Sequence, residues 1–111
     1  MKAYLVRITK SAERDLNRAA DYIEFSLKNP SAADSLIDEA EKAISSLSHM
    51  PERFALVDDK LLAAWGIRFI RIKNYLAFYT VSQDEHTVYV LRFLYGKSDW
   101  TAILHSSILS E

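Results

Sequence analysis

Residues 61–100 carry five cations, Arg68, Arg71, Lys73, Arg92 and Lys97, against three acids, Asp84, Glu85 and Asp99. The planar fork of an arginine can hold phosphate oxygens in pairs, so this stretch has the chemistry of anion recognition. Residues 11–60 reverse the balance, with eleven Asp and Glu against six Lys and Arg. The chain is therefore acidic in front and locally basic behind. Its net charge of −1 argues against a wholesale nucleic-acid binder, because such proteins carry a basic surplus. With no cysteine in the chain, disulfides, thiolate metal sites and cysteine nucleophiles are excluded. His49, His86 and His105 lie far apart in sequence, so no metal site is expected.

Each of these side chains also has a plain structural role open to it. An arginine in a strand, as Arg92 is expected to be, can pair with a helix carboxylate. Tyr95 suits an amphipathic strand, with its ring packed and its hydroxyl wet. Arg68, Arg71 and Lys73 suit the solvated side of a half-buried strand. Arg71 and Lys73 share strand parity and would face one groove. Asp58 and Asp59 read as a solvated loop, and Trp100 as a cap on the core.

The elements that must position these residues follow from periodicity. Tyr4, Val6 and Ile8 alternate with Leu5 and Arg7, which predicts a short opening strand. Thr9 and Ser11 both have the hydroxyl needed to cap a helix. Leu16, Ala20, Ile23 and Leu27 then recur at helical spacing, for a helix of about four to five turns. Asn29-Pro30 ends that helix and starts another, since Asn caps and Pro fits the first helical position. Ala33, Leu36, Ile37, Ala40, Ile44 and Leu47 form the second apolar stripe. The short connector predicts an antiparallel helix hairpin, closed by His49-Met50-Pro51.

After a polar connection through Asp58-Asp59-Lys60 the period changes to two. Residues 67–73, 75–82 and 87–95 are rich in β-branched and aromatic residues and predict three strands. Tight turns are expected at Lys73-Asn74 and at Gln83-Asp84-Glu85-His86. A short C-terminal helix beginning near Ser98 or Asp99, through Trp100, Ile103 and Leu104, is weakly signalled. The expected class is α+β: an N-terminal strand, an antiparallel helix hairpin, then a three-stranded antiparallel meander. The first strand should lie at an edge or beside the last. At 111 residues, half of them hydrophobic, the chain fits one soluble domain with no room for a second core. No signal peptide and no apolar run of membrane-spanning length is seen, so a cytoplasmic location is expected.

Several segments add a resemblance. They are the element order, Thr9-x-x-Ala12-x-x-Asp15-Leu16 at the first helix, and Gly66-Ile67-Arg68 leading to Asn74-Tyr75-Leu76-Ala77-Phe78-Tyr79. The last is Val90-Leu91-Arg92-Phe93-Leu94-Tyr95-Gly96-Lys97-Ser98-Asp99-Trp100. Together they resemble the RelE/ParE superfamily of toxins from type II toxin–antitoxin systems, over nearly the whole chain. The resemblance implies a cytoplasmic toxin encoded beside a cognate antitoxin protein, with no membrane partner and no small-molecule cofactor. Antitoxins of such proteins wrap a segment around the helix hairpin and the groove of the sheet. The basic strands here would suit an acidic segment, and an open sheet edge could accept a strand.

The superfamily has two branches on one fold, so fold does not choose between them. RelE-like members cut mRNA on the ribosome without metal or cofactor; ParE-like members poison DNA gyrase. Cleavage needs activation of the ribose 2′-hydroxyl, a donor for the leaving oxygen and cations for the phosphate. If the chain is a nuclease, the resemblance makes Arg92, Tyr95 and Lys97 its catalytic residues. In either branch Arg68, Arg71 and Lys73 are expected to bind nucleic acid or target. Against this, Leu76 stands where many nuclease members carry Arg, and Leu94 where some carry His. The expectation therefore leans to a gyrase-directed growth inhibitor. A ribosome-dependent endoribonuclease and a non-toxic family member that only binds antitoxin are the alternatives.

Overall fold

The computed structural model describes residues 3–109. Strand β1 (Leu5–Ile8) leads into helix α1 (Lys10–Asp21), a π-helical turn at Tyr22–Ser26 and helix α2 (Pro30–Ser45). Short 3-10 turns follow at Ser46–Ser48 and Pro51–Arg53. Then come helix α3 (Lys60–Ala64), strands β2 (Arg68–Ile72), β3 (Tyr75–Ser82) and β4 (Thr87–Tyr95), and helix α4 (Trp100–Leu109). The expected α+β layout is what forms. The sheet order is β1-β4-β3-β2, so β1 is both an edge strand and the neighbour of the last strand. It pairs parallel with β4, Leu5 facing Thr87 and Ile8 facing Val90, whereas the other pairings are antiparallel.

Local chemistry sets the boundaries. Of the two hydroxyls at the start of α1, Thr9 is the cap: its Oγ1 accepts from the Ala12 amide at 3.1 Å. The same hydroxyl donates to the Leu91 carbonyl at 3.0 Å, which fixes the end of β1 against β4. Asn29 caps α2 through the Ala32 amide at 3.1 Å, with Pro30 at the first helical position. The β2–β3 connection is a two-residue turn in which Lys73 takes a φ of 56°. Strand alternation therefore ends at Ile72, and the expected shared face of Arg71 and Lys73 does not carry into the turn.

Two expectations are corrected. The first helix does not run regularly to Leu27: the Leu27 amide donates to the Tyr22 carbonyl, five residues back. That extra residue shifts the helical phase and leaves Leu27 56% exposed, off the apolar stripe to which the spacing assigned it. The Asp58-Asp59-Lys60 connection is not simply a solvated loop. Asp59 caps α3 by accepting from the Leu62 amide at 3.0 Å, and that bond, with His105 second, holds its carboxyl below the ordinary carboxylate range.

Both faces of the sheet are covered. Leu36, Ala40, Ile44 and Leu47 bury against Ile70, Ile72, Ala77, Tyr79, Val88 and Val90 on the hairpin face. On the opposite face Val57, Leu62, Ile67, Leu76, Phe78, Leu94 and Leu104 form a second cluster beneath α3 and α4. Trp100 packs on its rim, its ring 5.1 Å from that of Phe78. At about 2 kcal/mol per fully buried large aliphatic side chain, each cluster outweighs any single surface ion pair.

A register shift between Phe78 and Tyr79 moves the partner from Arg92 to Val90, leaving Leu91 as the extra residue of a β-bulge. A bulge reverses which side chains face the core beyond it. Val88 and Val90 face the hairpin before the bulge and Phe93 faces it afterwards, which places Arg92 with Phe78 on the other side.

Candidate functional site

Arg92 is held through all three nitrogens of its guanidinium. Its Nε and Nη2 donate to the two carboxylate oxygens of Asp15 at 2.6 and 2.9 Å, and Nη1 donates to Ser107 Oγ at 2.6 Å. Asp15 lies on the buried side of α1, and its Oδ2 also accepts the Phe93 amide at 3.1 Å. That contact has a topological cause. β1 ends opposite Val90, so beyond the bulge β4 has no strand neighbour there, and a carboxylate from α1 takes the amide instead. The hydrogen bond to Asp15 raises the Arg92 pKa against the opposing effect of burial. Such a two-pronged ion pair, with the Ser107 contact, joins α1, β4 and α4 and commits three of the five N–H donors of Arg92.

Three residues later, Tyr95 is 43% exposed. Its ring meets Tyr75 edge-on at 5.6 Å, and Tyr75 in turn stacks on Phe93 at 5.1 Å. Burial raises the Tyr75 pKa, with smaller contributions from Tyr95 and Tyr22, so three phenols converge here. Lys97 is exposed in the turn after β4. Arg71 is exposed on β2 opposite Leu76. Its Nη1 lies 3.5 Å from where a Cβ on Gly96 would stand, and the Asn74 carbonyl lies 3.1 Å from the same point. An added methyl would crowd that carbonyl, so glycine lets the β2–β3 turn close on the end of β4.

Of the residues singled out from sequence, Arg71, Lys73, Tyr95 and Lys97 thus gather at one end of the sheet. Arg68 and Arg92 do not join them. Arg68 donates to the Phe54 carbonyl at 2.6 Å and the Glu52 carbonyl at 3.2 Å, tying the 51–54 segment to β2. The three histidines stand in separate contacts: His49 with Ser48, His86 stacked on Tyr4, and His105 with Asp59. Tyr22, which belongs to the exposed end, was not singled out from sequence. Its spacing from Leu16 and Ile23 marks it only as a helix residue outside the apolar stripe.

Leu76 and Leu94, 4% and 8% exposed, lie in the second apolar cluster beside Phe78 and Leu104. A cation or an imidazole at either position would have to displace that packing.

The fold is an edge-paired four-stranded sheet with a helix hairpin on one face and a C-terminal helix on the other. Residues 6–100 match the family described as the ParE toxin of the type II toxin–antitoxin system parDE, and the chain belongs to that family. Solved structures show the same fold. A chain of the chromosomal ParDE system from P. aeruginosa is 17% identical, with a TM-score of 0.68 over 84% of this chain and 96% of that one. A chain of the toxin–antitoxin complex RelBE2 from Mycobacterium tuberculosis is 27% identical, with a TM-score of 0.59 over 86% and 93%. A chain of the archaeal RelE–RelB complex from Pyrococcus horikoshii OT3 is 15% identical, with a TM-score of 0.54 over 86% and 97%. No protein of curated function matches the chain.

Proposed function

We propose that this toxin is held in check by a cognate antitoxin protein and arrests growth by binding DNA gyrase, not by cutting mRNA. The observation that carries the choice of target is the sealed face of the sheet. Leu76 and Leu94 fill the positions that nuclease relatives use for Arg and His, and both are buried under α4. The neighbouring Arg92, which would stabilise phosphate charge, commits three of its five N–H donors to Asp15 and Ser107. Transition-state stabilisation needs donors aimed at the reacting phosphate, and these are aimed inward. The antitoxin partner is supported by the family match and by the toxin–antitoxin complexes among the solved relatives.

The ribosome-dependent endoribonuclease is the second reading, and one observation favours it: Tyr95, Lys97, Arg71 and Lys73 stand exposed at the same end of the sheet. Two assays on one preparation separate the readings. Purified gyrase should lose supercoiling activity as toxin is added, while primer extension on abundant mRNAs after induction shows no new ends. Full supercoiling at excess toxin, with fresh cuts inside translated codons, would overturn the gyrase reading. Tyr95→Phe and Lys97→Ala would then be the first nuclease variants to make. No growth arrest at all would leave a family member that only binds its antitoxin.

A further inference from the structure

The residue before β1, the turn before β4 and the segment after α2 enclose a depression of about 650 Å³. It lies at the His86 end of β4, away from Tyr95, and so apart from the function proposed above. A concave, mainly apolar place of this size with a few polar groups is the usual form of a small-molecule site.

Contacts between distant parts of the chain build its walls. The Tyr4 amide donates to the Ser48 carbonyl at 2.8 Å, and the Tyr4 ring stacks on His86 with centroids 3.8 Å apart. The Tyr4 hydroxyl donates to Gln83 Oε1, and Gln83 Nε2 donates to Glu52 Oε1, both at 2.9 Å. Arg53 supplies the remaining frame. Its Nη1 is shared among the carbonyls of Ser46, His49 and Met50, and its Nη2 donates to Ser46 Oγ at 2.9 Å.

Two features are not needed to close this frame. Met50 takes a φ of 47°, is 66% exposed and belongs to neither apolar cluster. A left-handed backbone under a long side chain is disfavoured, and residues held that way gather at ligand sites. Polar capacity is also left over. Glu52 Oε2 stands 3.9 Å from Arg68 Nη2, too far for a hydrogen bond. His49 meets Ser48 Oγ through Nδ1 at 2.9 Å, and its Nε2 has no partner among the described residues.

We propose that this depression binds a small, uncharged, flat heteroaromatic molecule bearing N–H donors, of the aminopurine kind. Its ring meets Tyr4, His86 and the Met50 thioether, partners that aromatic surfaces favour. Its N–H groups donate to Glu52 Oε2 and His49 Nε2. Glu52 and Arg53, the charged side chains on the wall, are opposite in sign, which suits an uncharged ligand. An anion is the poorer occupant, because Arg53 is turned to the backbone while Glu52 is open. An apolar side chain of a partner protein would leave the carboxylate oxygen unmatched.

Titration of the purified toxin with 2-aminopurine riboside, whose fluorescence falls when its ring stacks, tests the proposal. Saturable quenching at submillimolar toxin is expected. Met50→Gly should weaken it by about tenfold. Glycine suits the left-handed φ at that position, so the melting temperature holds or rises and the loss cannot be ascribed to unfolding. Glu52→Gln should weaken it by about fivefold or more, since a bond to a charged acceptor becomes one to a neutral acceptor. Purine riboside, which lacks the amino group, should compete equally weakly in the parent and in Glu52→Gln. Leu27→Ala, at the hairpin tip, should change nothing.

No saturable quenching of the parent, or the same affinity in the parent, Met50→Gly and Glu52→Gln, would overturn the site. A single-stranded oligonucleotide carrying 2-aminopurine that binds about tenfold tighter than the riboside, through its phosphates, would overturn the small-molecule reading as well.

Discussion

Arg92 and Tyr95 stand three residues apart on β4 and are built for opposite purposes. Around Arg92 the guanidinium, the Asp15 carboxylate, the Ser107 hydroxyl and the Phe93 amide are joined, and the contact holds α1, β4 and α4 in one arrangement. Around Tyr95 the ring is largely open and meets Tyr75 edge-on, Lys73 and Lys97 belong to no ion pair among the described residues, and a turn of irregular helix leaves Tyr22, Phe25 and Leu27 exposed. A residue type suited to phosphate chemistry has become a structural clamp, while the stretch with Tyr95 and Lys97 has been left open. Where one fold can carry several functions, such a difference between two ends of a strand tells more about function than the fold does.

Breaking the clamp should have the largest effect. Asp15→Ala strands a partly buried guanidinium and the Phe93 amide, and should cost about 3 kcal/mol or more in urea unfolding. A loss below about 1 kcal/mol would mean that Arg92 is not held and is available for other work.

A buried tyrosine sharpens the contrast with the open ones. Tyr79 is fully buried and donates to the Pro51 carbonyl at 2.6 Å, and burial pushes its pKa from 10.0 to about 12. A phenol whose pKa is raised on folding adds stability in full below the unfolded value, and that stability is lost as pH rises through the folded value. The parent should therefore lose stability between about pH 10 and 12. Tyr79→Phe should cost about 1 kcal/mol at neutral pH and flatten that alkaline limb in thermal melts followed against pH. An unchanged limb would assign the loss to other groups.

The smallest effect belongs to the open end. Tyr95→Phe should shift stability by no more than about 0.5 kcal/mol, and a larger loss would place its hydroxyl among the structural contacts after all.

Much of this architecture was legible along the chain. Strand alternation gave β2, β3 and β4 to within a residue, because their turns at Lys73-Asn74 and 83–86 interrupt a clear period of two. The Asn29-Pro30 boundary was equally plain, because both residues act through their own backbone and side-chain chemistry. Helix α3 was missed, since a five-residue helix shows no period and its cap, Asp59, looks like any loop acid. The π-turn was missed because the apolar spacing through Ile23 and Leu27 fits a regular helix.

The sequence by itself determined the four strands, the helix hairpin, their order and the family to which the chain belongs, because periodicity and capping act over a few residues. Only the tertiary structure decided which cations are available. Whether Arg92 faces solvent or Asp15 depends on a bulge at Leu91 and on β1 ending at Ile8, and those bring together residues 77 apart in the chain. Desolvation and hydrogen bonding across that distance fix a side chain's role, and no local pattern records them.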